Sequence, residues 1–135
     1  MTILGLMVIL GATMLVVAAI TFGLFTRRSV GDESAKRDAE AAAFAASMHE
    51  AETGKVPTAD ELAEYEPSLE YESLAVGDEV AVQGKVYVRS RGDVAELAAR
   101  NGDTCFWVQR SAQMTRYADG PCDGDYEALT FRDHW

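Results

Sequence analysis

From Ile3 to Phe25 the chain runs ILGLMVILGATMLVVAAITFGLF, 23 residues without a charged side chain. As a helix rising about 1.5 Å per residue, such a run matches the hydrocarbon thickness of a bilayer. A secretory signal destined for cleavage carries instead a basic start, a shorter apolar stretch and a small-residue cleavage site close behind it. A buried core helix keeps a polar stripe, and this run has none. The expectation is therefore a transmembrane helix over residues 1–27, followed by one small domain over residues 28–135, which is long enough for a single modest core. A cell-membrane, single-pass protein follows from that division.

Every acidic and basic residue lies after the run, so the net charge of −10 belongs to the domain. Phosphate backbones are held by clustered Lys and Arg, and a field of this sign disfavours nucleic acid as a partner. No Ser-His-Asp arrangement, phosphate-cradling glycine loop or histidine pair with metal-ligand spacing is present, so no enzyme, no cofactor and no small-molecule substrate is expected. Cys105 and Cys122 are the whole cysteine complement. Their separation permits a loop-closing disulfide in an oxidising compartment, with two buried free thiols as the alternative. Arg27 and Arg28 behind the span place the domain inside by the positive-inside rule, whereas a disulfide places it outside.

Residues Glu33 to Thr53 hold eight alanines and neither proline nor glycine, a strong helical composition. On a helical wheel Ala35, Ala39, Ala42, Ala46 and His49 share one narrow face, and Ala41, Phe44, Met48 and Ala51 the opposite one. The larger side chains are expected on the domain's own core, leaving the alanine stripe for another helix. Gly54 and Pro57 end this segment, and Thr58 with Glu61 forms a capping box for a short helix to about Tyr65. Ser68–Leu74, Lys85–Arg89, Val94–Arg100 and Thr104–Arg110 read as strands. Arg91-Gly92-Asp93 and Asn101-Gly102 supply the turns between the last three of these. Tyr117 to Tyr126, rich in glycine and aspartate, reads as a loop. Within it Asp119, Asp123, Asp125 and Glu127 are candidate calcium ligands, although their spacing does not fit an EF-hand.

An N-terminal membrane helix, an alanine-rich continuation and a small sheet ending in a cysteine loop resemble a type IV pilin or pseudopilin. Ala19-Ile20-Thr21-Phe22, Glu66-Pro67-Ser68-Leu69 and Gly102-Asp103-Thr104-Cys105-Phe106-Trp107-Val108 are similar to segments of pilin-like proteins from high-GC Gram-positive bacteria. Thr115-Arg116-Tyr117, Cys122 and a terminal Trp135 follow in the same order. The resemblance implies an α+β, pilin-like fold in which the membrane helix extends into the Ala-rich helix packed on a small antiparallel sheet. It also implies a Cys105–Cys122 disulfide and an extracytoplasmic domain. The implied role is a structural or assembly subunit of a type IV pilus-like or type II secretion-like filament, with other pilin-like subunits as partners. Gly5, Gly11, Ala12, Ala18 and Ala19 would allow close helix packing in such a filament. Pilins carry a basic leader and a glutamate early in the apolar run, both lacking here. A start upstream of Met1 would supply the leader and hold the N-terminus inside, and the missing glutamate points to a minor or divergent subunit. The alternative is a stand-alone single-pass protein whose outward domain binds a partner without polymerising.

Overall fold

The computed structural model describes residues 30–123 and 129–135, and residues Glu33–Trp135 make one compact unit. The expected span, with Gly5, Gly11, Ala12, Ala18 and Ala19, lies outside the described residues. Among the described residues, no helix is long and apolar enough to cross a membrane.

Helix α1 occupies residues 30–53. It stops where Gly54 takes a φ of 71° and its N–H reaches back to the Glu50 carbonyl at 2.8 Å, a left-handed cap that glycine adopts without a Cβ clash. Helix α2, Ala59–Tyr65, opens with the anticipated capping box of Thr58 and Glu61 and buries Leu62 completely.

The sheet then runs β1 (Tyr71–Ser73), β2 (Val86–Arg91), β3 (Val94–Asn101), β4 (Thr104–Arg110) and β5 (Thr115–Gly120), neighbours in sequence being neighbours in space. The fold is α+β, and its sheet is mixed rather than antiparallel: β1 pairs parallel to β2. Parallel pairing needs a connection of about a dozen residues, and residues 74–85 provide it. β1 covers only the second half of the expected Ser68–Leu74 strand, Tyr71–Ser73. β5 corrects the expected loop, because Thr115 to Gly120 pair with Arg110 to Cys105 of β4.

Two tight hairpins fix the register of β2, β3 and β4. Arg91 pairs with Val94 and Asn101 with Thr104, so the loops are Gly92-Asp93 and Gly102-Asp103. Gly92 and Gly102 both have φ of 61° and no non-glycine residue among the described residues has positive φ, which is the II′ pattern with glycine at the first loop position. The expected Asn101-Gly102 turn is therefore present, displaced by one residue.

The two faces of the sheet carry separate cores. On one, Val86, Val88, Leu97, Phe106 and Val108 pack against α1 and Leu62; on the other, Leu74, Val80, Tyr87, Trp107 and Ala118 pack around Cys105 and Cys122. Alternation along each strand produces this division.

The orientation of α1 reverses the expectation. Ala35, Ala39, Ala42 and Ala46 face the protein's own sheet and His49 is buried against α2, while Phe44 and Met48 are 69% and 41% exposed. The reason is volume: the sheet supplies the large side chains, and alanine on the helix lets the two layers approach closely. Ala42→Leu is accordingly expected to cost about 1–3 kcal/mol by overpacking, read as a lower urea midpoint at unchanged slope.

Candidate functional site

Cys105 in β4 and Cys122 just beyond β5 are joined in a disulfide, with Cα atoms 5.1 Å apart. The bond lies in the core opposite α1, and the carbonyl of Cys122 accepts from the Val80 N–H at 2.8 Å. The cystine thus ties the end of β5 to the 74–85 connection as well as to β4.

The proposed calcium ligands are not gathered among the described residues. Asp119 sits on β5 with its carboxylate 2.7 Å from Arg132, Asp123 is exposed, and Asp125 and Glu127 lie outside the described residues. No group of three or more His, Cys, Asp or Glu side chains that could hold a metal occurs among the described residues.

His49 is 4% exposed and joins three segments. Its Nδ1 lies 3.0 Å from the Lys55 carbonyl, and its Nε2 contacts the Glu61 carboxylate. The Tyr65 ring stands edge-on to the imidazole at 5.6 Å. Hydrogen bonds from the Thr58 hydroxyl and amide, then His49, hold the Glu61 carboxyl below its ordinary range. This cluster fastens the end of α1 to α2.

A polar row crosses the sheet face opposite α1. Glu96 stands beside Arg89 on β2 and Gln109 on β4, and Gln109 beside Arg116 on β5. Arg89 and Glu96 are buried, 3.8 Å apart, with the Arg89 guanidinium 5.3 Å from the centre of the Trp107 ring. Burial pushes the Glu96 carboxyl up to about 7, against the pull of Arg89 and then Arg91. Buried ion pairs of this kind add little net stability and constrain what can pack beside them. The sequence pattern hid this row, because Arg89 and Glu96 alternate with apolar neighbours as solvent-facing residues do.

On the α1 side, Trp135 closes the gap between helix and sheet. Its indole N–H donates to Glu40 at 2.7 Å, its ring contacts Phe106 and Tyr117, and the Lys36 ammonium lies 5.7 Å above it. Beside it runs a groove of about 390 Å³ between α1 and the β4–β5 pair, lined by Ala43, Phe44, Ser47, Val108, Arg110 and Tyr117. The exposed Phe44 and Met48 make α1 an apolar ridge along this groove.

Comparison with protein-family models, curated proteins and solved structures returned no match. The functional assignment therefore rests on the residues themselves. What they offer is an apolar helix ridge, a groove at its side and a sheet stapled by a disulfide.

Proposed function

We propose that the chain is a pilin-like assembly subunit: residues 3–25 form the membrane helix, and the domain is carried on the outer side of the membrane. A minor or divergent member of a type IV pilus-like or type II secretion-like filament fits best. The observation that carries this reading is the outward-facing Phe44 and Met48 on α1, the helix that follows the apolar run in sequence. A solvated face would ordinarily be polar. An apolar ridge on a helix that follows an apolar run in sequence suits a domain that packs against neighbouring copies outside the bilayer. The disulfide supports the outward location, because such bonds persist in oxidising compartments. Small residues in the span, Gly11 and Ala12 among them, permit the close backbone approach that helices need where lipid offers no hydrophobic drive.

The test is amine cross-linking of the full chain in its native membrane, through Lys36, Lys55 and Lys85. The expected result is a ladder of dimers, trimers and higher multimers that Ala12→Trp abolishes. Monomers alone would establish the stand-alone membrane protein instead.

A further inference from the structure

We propose that copies of this chain make a second, directional contact, in which the Val76 turn of one copy enters the groove beside Phe44 of the next. This inference rests on the assembly reading above and specifies a surface for it outside the membrane helix.

The turn is built as a rigid knob. Ala75 to Asp78 close a β-turn through the Asp78 N–H and the Ala75 carbonyl at 3.0 Å, and the Asp78 carboxylate accepts from the Ala75 N–H at 3.2 Å. Gly77 has a φ of 88°, the value that a type II turn requires at its third residue. Both ends are pinned: Leu74 and Val80 are buried in the core around the disulfide, and the Leu74 N–H donates to the Val88 carbonyl at 2.8 Å. At the tip Val76 is 75% exposed, the highest value among the exposed large apolar side chains of the described residues. An apolar side chain held out on a preorganised turn loses little conformational freedom on binding.

The groove complements the knob in shape and charge. Its floor is apolar, from Ala43 and Val108, and its rim is the exposed Phe44 ring. Arg110 lines it, and the one hydrogen bond its guanidinium makes among the described residues is to the neutral Thr115 hydroxyl at 2.5 Å. Lys36, Lys85, Arg89, Arg100 and Arg132 each stand within 4 Å of a carboxylate; among the described residues no carboxylate is paired with Arg110. The knob brings acid: Asp78 and Glu79 follow Val76 across Gly77, and the Glu79 side chain, 3.5 Å from the Arg100 guanidinium, is still 66% exposed. Glu40, the acidic residue of the groove, is already engaged by the Trp135 indole.

Position gives the contact its direction. The groove lies on the α1 face of the sheet, and the knob is rooted in the core on the opposite face. A contact between two different patches of the same chain is heterologous, and it propagates head to tail instead of closing a dimer. One turn in one groove is small by the standard of stable interfaces. Its contribution is multiplied because the membrane helices already hold the copies together.

Cross-linking of the full chain in its membrane tests this. With the native cysteines in their disulfide, Val76→Cys and Ser47→Cys in one chain should give a multimer ladder with a short bismaleimide. Each substitution alone should leave monomers. Arg110→Glu should reduce the ladder at least tenfold, and Glu79→Arg added to it should restore the ladder. Self-linking of the Ser47→Cys variant would mean a symmetric α1 contact and overturn the proposal. A missing cysteine ladder in membranes where the lysine ladder persists would overturn the proposal alone. Loss of both ladders in the otherwise native chain would overturn the assembly reading with it.

Discussion

Removing the disulfide by Cys105→Ala with Cys122→Ala should lower the stability of the domain by roughly 3 kcal/mol, as expected for a closed loop of this length. The 17-residue loop contains the β4–β5 hairpin, so the bond restricts the unfolded chain across a segment that the sheet must order. It also packs between Val80 and Trp107 in the core opposite α1, where no helix covers the sheet among the described residues. The loss should therefore be largest on that side. Hydrogen exchange should show faster opening of β5 and of the 74–85 connection, with the amides of α1 less affected. Urea unfolding of the double variant reads the total; a loss well under 1 kcal/mol would mean that the loop is held by packing alone.

The second large effect concerns Glu96, which is fully buried in the centre of β3 with neither carboxylate oxygen hydrogen-bonded among the described residues. Desolvation raises its carboxyl from 4.5 to about 7, although Arg89 and Arg91 pull in the other direction. A raised folded-state value means that the native protein holds this proton more tightly than the unfolded chain. The associated stability is complete below pH 4.5 and is lost as pH rises to about 7, an amount of about 3 kcal/mol by linkage. Glu96→Gln mimics the protonated form and removes this titration. The variant should match the native protein near pH 5 and exceed it in stability near pH 8. Urea midpoints across that range provide the check, and a variant less stable at pH 8 would show that Arg89 requires the negative charge.

Much of this architecture was legible in the residues, and the gaps have physical causes. Gly92 and Gly102 announce their hairpins because only glycine takes the required φ cheaply, although the second turn lies one residue beyond the expected Asn101-Gly102. Thr58 with Glu61 marks the start of α2 through local hydrogen bonding alone. β5 was hidden because Thr115-Arg116-Tyr117-Ala118-Asp119-Gly120 has little β propensity of its own; pairing with β4 and burial of Ala118 create the strand. The parallel placement of β1 is likewise a tertiary choice that a three-residue segment cannot encode.

The faces of α1 show the same limit more sharply. Periodicity separated the alanine stripe from Phe44 and Met48 correctly, but it does not state which face turns inward. Size suggested Phe44 and Met48 for the core. The sheet already supplies Leu97, Phe106 and Val108 to that layer, so there is room only for alanine. The reversal is what gives the helix an apolar ridge to offer a neighbour. In the candidate site, the cysteine pair was visible as a possibility, whereas Arg110 and the Val76 turn acquire meaning only once the sheet places them on opposite faces.

That ridge is the centre of the account, and one substitution pair isolates it. Phe44→Ser with Met48→Ser in the full chain removes apolar side chains that are already exposed, so the thermal midpoint should shift by only a few degrees. The lysine cross-linking ladder in membranes should collapse to monomers and dimers. A marked drop in the midpoint would contradict the outward orientation of α1, and an undiminished ladder with unchanged stability would contradict its role in assembly.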